Sequence, residues 1–545
     1  HKCKCCNLIR NCNTKKSGYG NLKDHLISKH PDWESTLARF LNPAGLAGPM
    51  DAFVVQISAK AHHVFNWLDW IIDSNKPFTF CEEKGTRKYA KLEKMNTKTL
   101  KKYMQLTADK VRDKMSARLP RSFGLVLDGW TLGSDHYSCL FAVWSNQLTG
   151  KVEVLFLTCN VAEDITDDTV FDEGLAECDM HFGFSADDWF DIIVECLAEY
   201  ECEVDVTSIG HTVEFLSADN CSTNRALSRK TGIPMIGCYS HKLNLAVNGL
   251  VGKEEKKNRA GVITQAANGS RPEVNKLDKL MGSLKTLKNS ALLRPLTKLR
   301  PERKNATRWY SLFHMLVKWK RIRQFVHTIE DFEVSTSILI PTHAENATLT
   351  VLQGVLRDFE SVSQVLQRAG DNTLTLYQSR LLFDKLLTKY GDLYDLSQLK
   401  VNSELVTNPD FENGIIKIQK QLSDRNKLTP REKDAVSRYL KTTADAADGR
   451  EEKEEEEVEE LGFADAVIAE AERELKRRRV HTVADGYVST IHVLSQSNLC
   501  ERLFSLAKLV MSDRRQSMNP STLNNLLLLK LNHTFWTVSD IHSLL

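Results

Sequence analysis

Phe123-Gly-Leu-Val-Leu-Asp128-Gly-Trp130 is the stretch on which the reading of this chain turns. It is a short apolar run that reaches an aspartate, the pattern of a buried strand ending on a charge. Two distant stretches have the same character. Phe215-Leu-Ser-Ala-Asp219-Asn220 again places an aspartate at the end of an apolar strand, and Cys500-Glu501-Arg-Leu-Phe-Ser505 places a glutamate on an apolar-faced helix. Three carboxylates brought together by folding can grip two divalent cations about 4 Å apart, which implies phosphodiester chemistry on nucleic acid. Taken singly, each acid has an ordinary reading: strand-end aspartates cap turns and helices, and Glu501 is a surface glutamate. The inference rests on all three occurring in the right elements and order.

Working outward, His136–Trp144 and Lys151–Thr158 read as two further strands around the turn-like Asn146-Gln-Leu-Thr-Gly150. An amphipathic helix is expected over Asp187–Tyr200, then the strand Val213–Asp219, a helix starting at Asn220, a short strand in Pro234–Cys238 and a helix over Ser240–Leu250. The first three strands can form an antiparallel meander. The later two need helical crossovers and favour parallel pairing. If the first and fourth strands pair at the centre, Asp128 and Asp219 become neighbours. That is the ribonuclease-H-like arrangement, but its last acid is missing near residue 260. It is found at Glu501, beyond a stretch whose apolar periodicity (Trp309–Val326, Ala347–Leu366, Leu374–Leu399) is helical. Residues 251–490 therefore read as an all-α insertion, with an acidic low-complexity segment over 444–460. The expected class is α+β or α/β and multidomain. Residues 123–250 and the closing helix in 491–545 make a ribonuclease-H-like domain around that insertion.

Ahead of it, Cys3, Cys6, His25 and His30 have the spacing of a tetrahedral Zn²⁺ site, with Cys5 able to replace Cys6. Residues 1–33 form this finger. A linker over 34–52, rich in Gly and Pro, precedes a helical domain over 53–122, where Val64, Trp67, Leu68, Ile71 and Ile72 fall on one face.

The 545 residues suffice for roughly three or four domains. No apolar run approaches the length of a membrane span. The chain opens on His1 without a signal segment and reads as a fragment of a longer protein. Its 13 cysteines, an odd number widely scattered, argue for reduced thiols rather than a secreted disulfide framework. A net charge of +2 hides strong patterning. Lys84–Arg121 carries 13 Lys/Arg against three acids, and Arg271–Arg323 carries 15 against three, while Glu451–Glu460 is strongly acidic. The basic stretches are either phosphate footprints or solvated helix faces. Lys476-Arg-Arg-Arg479 is either a nuclear import signal or a basic helix end.

Two smaller motifs have competing readings. Cys238-Tyr-Ser-His241 is half a zinc motif without a second half, so a core cysteine with a site-facing histidine is the better expectation. In Asn305-Ala-Thr-Arg308-Trp309-Tyr310, the tryptophan can stack on an unpaired base while the arginine meets a phosphate. A tryptophan buried in a helical core is the alternative.

Together, Val126-Leu-Asp-Gly-Trp-Thr131, Ser217-Ala-Asp-Asn-Cys-Ser-Thr-Asn224, Gly237-Cys-Tyr-Ser-His-Lys-Leu-Asn-Leu245, Ala306-Thr-Arg-Trp-Tyr310 and Cys500-Glu-Arg-Leu-Phe-Ser505 resemble the hAT superfamily of DNA transposases. The first cluster resembles the BED-type zinc finger common at the N-terminus of that family, and Arg514–Asn532 is similar to its C-terminal dimerisation segment. The resemblance implies a nuclear DDE enzyme performing cut-and-paste transposition. Asp128, Asp219 and Glu501 would hold Mg²⁺ or Mn²⁺. Trp309 would stack on an extruded base, with Arg308 and His241 beside it, and Trp130 would pack at the cleaved end. The implied partners are double-stranded DNA, both terminal inverted repeats and target, and a second copy or more of the chain. A close relative that binds DNA and regulates without cutting is the rival expectation. One departure from the family stands out: the stretch before Glu501 is short and lacks the usual Trp- and Pro-containing segment.

Overall fold

The computed structural model describes residues 25, 27–30, 57–132, 135–146, 149–161, 184–252, 256–257, 263–265, 269–304, 309–368, 370, 373–420, 428–441, 462–478, 487–511 and 518–545. The chain divides into two compact units, His1–Thr107 with Trp536–Leu545, and Ala108–Phe535.

In the first unit, helix α1 (Ala59–Asp73) starts where the Ser58 side chain accepts a hydrogen bond from the Ala61 amide. It buries the expected stripe of Val64, Trp67, Leu68, Ile71 and Ile72. The C-terminal helix Val538–Ser543 packs on α1, and the rings of Phe65 and Trp536 meet at 5.0 Å. The last ten residues thus belong with the N-terminal unit rather than with the closing helix, a departure from the 491–545 division. Apolar side chains of α1 need a cover, and the chain end supplies it. Helix α2 (Thr97–Ser116) follows in sequence.

The second unit is built on a five-stranded mixed sheet with order β3-β2-β1-β4-β5. Strands β1 (Phe123–Leu132), β2 (Asp135–Asn146) and β3 (Lys151–Val161) form the antiparallel meander. Helix α3 (Ala186–Ala198) precedes β4 (Val213–Ala218), and helix α4 (Ser222–Thr231) leads to β5 (Met235–Gly237); β4 lies parallel to both β1 and β5. The residues Phe123–Leu127 are wholly buried, as a central strand covered on both faces requires. Close approach of β1 and β4 demands Gly124, since a Cβ there would come within 2.2 Å of the Phe215 ring. Gly150 closes the β2–β3 turn at φ 65° and returns its amide to the Asn146 carbonyl.

Beyond β5 come α5 (Tyr239–Val251), α6 (Arg271–Leu284), α7 (Tyr310–Val326), α8 (His343–Leu366), α9 (Leu376–Tyr390), α10 (Pro409–Gln419) and α11 (Phe463–Arg478). This region is predominantly helical, as the periodicity predicts, but it is not all-α. Lys256–Lys257 and Ile263–Gln265 pair as a short antiparallel ladder, too short to register in a periodicity count. The acidic run 451–460 lies outside the described residues. Helix α12 (Asn498–Val510) returns to β1 and β2, and α13 (Pro520–Leu531) packs on β3. The boundaries expected near 250 and 490 therefore fall inside one compact unit. No helix among the described residues is long and apolar enough to cross a membrane.

Candidate active site

Asp128 is not at the end of its strand. β1 continues to Leu132 against β2, with Trp130 opposite Tyr137. What ends is its other neighbour: β4 stops at Ala218, so beyond the Val126–Ser217 pair β1 has an open edge. Counting two residues past that pair along each strand gives Asp128 and Asp219. Asp128 Oδ1 accepts from the Gly129 amide at 2.9 Å. Asp219 sits just ahead of α4. Its Oδ1 accepts from Asn224 Nδ2 at 2.6 Å and from the Cys221 amide at 3.3 Å, a helix N-terminus being a favourable place for a carboxylate. Its Oδ2 stands 3.7 Å from His241 Nδ1, and both side chains are about one-third exposed, at 32% each.

His241 is aimed there by the start of α5. The Tyr239 amide donates to the Ser495 carbonyl at 2.8 Å, and Ser240 Oγ donates to Asn498 Oδ1 at 3.3 Å. Asn220 Nδ2 donates to the Cys238 carbonyl at 3.0 Å, and only glycine fits at 237, where a Cβ would meet Asn220 Oδ1 at 1.8 Å. Deeper in α5, buried Lys242 pairs with buried Glu412 of α10 at 3.4 Å, and Tyr239 Oη donates to the same carboxylate at 2.7 Å.

Glu501 enters from α12, whose Leu503, Phe504 and Ala507 are buried as the sequence predicts. Cys500 lies beneath it, its Sγ 4.0 Å from the Val126 carbonyl and beside Cys139, the cross-strand partner of Asp128. Burial pushes the Cys500 thiol up, and the Asp128 and Glu501 carboxylates act in the same direction. The two acids thus bear on a single thiol. Trp130 stacks on Phe504 at 5.4 Å and meets Tyr137 tilted at 5.2 Å, with Lys508 Nζ 5.5 Å from its ring.

The donor chemistry fits a hard divalent cation, since all three acids offer oxygen. Among the described residues, however, no group of three or more His, Cys, Asp or Glu side chains is placed to hold one ion. Mg²⁺ keeps most of its waters and takes one or two carboxylates.

Other expected residues fall elsewhere. Trp309 is buried (8% exposed), its amide donating to Asn244 Oδ1 at 3.4 Å ahead of α7. The buried-tryptophan alternative is the one found, and a base can stack on Trp309 only after this segment opens. Arg308 lies outside the described residues. His25 and His30 stand with rings 5.2 Å apart, but Cys3 and Cys6 are outside the described residues. The basic stretch Arg271–Arg323 is partly neutralised: Arg303 pairs with Asp278 and Lys318 with Glu302 inside it, and Lys276 with Glu345 and Lys288 with Glu333 beyond it. In Lys84–Arg121, by contrast, Lys84, Lys88, Lys91, Lys94, Lys98, Lys101 and Lys102 are all exposed.

The C-terminal leucines were expected at a dimer contact. Leu523 and Leu526–Leu529 are instead 0% exposed within their own chain. Asn524 locks the run in place: its Oδ1 accepts from the Cys159 amide, and its Nδ2 donates to Thr158 and Asn160. Sequence reasoning missed Asn224 and the Lys242–Glu412 pair. The available signal for Asn224 was its place in the first turn of the helix after Asp219, where its side chain can reach back. Compared with models of known protein families the chain matches none, and no curated protein matches it.

Proposed function

We propose that this chain is a DDE-type DNA transposase of the hAT superfamily, cutting and rejoining DNA at element ends by two-metal-ion chemistry. The observation that supports the reading is the parallel pairing of β1 with β4, whose last pair, Val126–Ser217, lies two residues before Asp128 and Asp219, with Glu501 on α12, the helix packed on β1 and β2. The sheet order 3-2-1-4-5, with its first three strands antiparallel, supports a ribonuclease-H-like core interrupted by the helical region.

In this reading Asp128, Asp219 and Glu501 hold Mg²⁺ or Mn²⁺. Cations there supply the charge that activates an attacking oxygen and stabilises the leaving one. Asp219 offers chiefly Oδ2, because Oδ1 is taken by Asn224 and the Cys221 amide. His241, at 3.7 Å, is placed to orient that oxygen or to meet a phosphate. Trp130, with Lys508 over its ring, supplies an aromatic face and a cation where a cleaved strand end would lie. The exposed lysines of 84–102 provide the salt-dependent attraction to duplex DNA. Zn²⁺ in an N-terminal finger, a nuclear setting and self-association complete the proposal.

The test is cleavage of a plasmid carrying the genomic DNA that flanks this reading frame, with Mg²⁺ or Mn²⁺, by wild type and Asp219→Ala. Discrete cuts by the wild type alone are expected. Equal cutting by the variant removes the proposal. Binding of both proteins to the same ends without cutting favours the rival, a transposase-derived DNA-binding regulator.

A further inference from the structure

A recess of about 60 Å³ lies at the root of α12. Its walls are apolar where Val154, Leu494 and Leu499 meet, and polar where Arg368, Arg502 and Gln496 converge. None of the residues lining it is acidic. Arg368 and Arg502 are both exposed. Each is steadied by one contact, Arg368 by Asp465 at 2.6 Å and Arg502 by the Gln367 carbonyl. A guanidinium has five N–H donors, so neither contact exhausts it.

Gln496 makes the recess more than a dent. It is 3% exposed, and its Nε2 has no hydrogen-bond partner. The amide orientation follows from its neighbours. Asn498 Nδ2 donates to the Leu366 carbonyl at 2.8 Å and to Gln496 Oε1, while Asn498 Oδ1 accepts from Ser240. Gln496 must therefore present oxygen to Asn498 and leave its NH₂ unsatisfied. A buried donor without an acceptor is destabilising. The side chain is held in that state by a network that also anchors α5 and α12.

We propose that this recess is a binding site for a single phosphate-class anion. Arg368 and Arg502 supply charge-assisted bonds at the mouth, Gln496 Nε2 supplies the buried donor, and the apolar walls keep those bonds out of bulk water. The volume admits one anionic group and excludes a nucleoside inside the recess. The phosphate comes from a free small molecule or from a nucleic-acid backbone, two sources of the same chemistry. This inference does not depend on the function proposed above.

The experiment titrates inorganic phosphate and pyrophosphate into the full chain at constant ionic strength, following heat of binding and melting temperature. Wild type is compared with Arg368→Ala, Arg368→Lys and Gln496→Leu. Saturable binding by the wild type is expected, weakened about tenfold or more in Arg368→Ala and Gln496→Leu, since each loses a bond to a charged group. Arg368→Lys, which keeps charge and fold but loses the planar fork, should fall between. A short DNA duplex that competes with pyrophosphate in the wild type, but not in Gln496→Leu, identifies the backbone as the source; absence of competition identifies the free ligand. Two results overturn the proposal: no saturable binding beyond a chloride control, or unchanged binding in all three variants, which would place the anion on the exposed lysines.

Discussion

Asn224 Nδ2 donates to Asp219 Oδ1 at 2.6 Å from the first turn of α4, so one oxygen of the aspartate is committed before any ligand arrives. The same nitrogen reaches the Asp219 carbonyl at 3.3 Å, and Asn224 itself is 4% exposed. Replacing it should free the carboxylate to rotate. Asn224→Ala is expected to lower Mn²⁺ affinity about 10–100-fold, the usual cost of losing a group that orients a metal ligand. Mn²⁺ titration followed by electron paramagnetic resonance checks this, with circular dichroism showing that the fold is kept. Unchanged affinity would reduce Asn224 to a helix-capping role.

The buried trio of Lys242, Glu412 and Tyr239 joins α5 to α10. Removing one charge strands the other in a place without water. Glu412→Gln or Lys242→Met should each cost about 3–5 kcal/mol, whereas the double replacement Lys242→Met with Glu412→Leu should recover much of that loss. Urea denaturation of the singles and the double gives the coupling directly. Additive losses would contradict it.

A second internal pair sets an acid limit. Burial pushes the Glu214 carboxyl up, but His492 at 2.9 Å and the Ser122 hydroxyl at 2.7 Å outweigh it and hold the group below its ordinary value. The sign follows from that direction. A carboxylate depressed in the folded state adds stability above its unfolded pKa and loses it as pH falls through the folded value. Stability should therefore decline below about pH 4.5, and Glu214→Gln should flatten that acid limb while lowering stability near neutrality. Denaturation midpoints between pH 3 and 7, at about half-unit steps, make the comparison.

Asn524 closes the exposed edge of the sheet by accepting the Cys159 amide at 2.9 Å. Asn524→Leu leaves that donor and two side-chain partners unmet, and should cost about 1–3 kcal/mol. It should also make the protein more prone to strand-edge association, visible as light scattering on storage. A variant as stable and as clear in solution as wild type would show that α13 is held by its leucines alone.

The strands were readable because a covered strand must be continuously apolar and a turn needs Asn and Gly, both visible in residues 123–161. The parallel pairing of β1 with β4 was readable because it follows from the helical crossover between them. Where β1 stops was not. The apolar run ends at Leu127, but the strand is continued by cross-strand pairing through Trp130 and Tyr137, which no local pattern records. The burial of Trp309 and of the C-terminal leucines was equally hidden. Periodicity reports that a face is apolar, and only tertiary packing decides whether the same chain or a partner covers it. Charge counts likewise miss that Asp278, Glu302, Glu333 and Glu345 answer lysines and an arginine of the second basic stretch.

Cys500 touches the carbonyl of Val126 across 374 positions of chain. A ribosome completes the first strand of the sheet long before it makes the helix that brings the last acid. Nascent or prematurely terminated chains hold two carboxylates and a bare β1 face, and a single proteolytic nick in the intervening helices cuts the covalent link between the parts. Long-range closure of this kind is slow to form. Until α12 is made, β1 lacks the helix that packs on it.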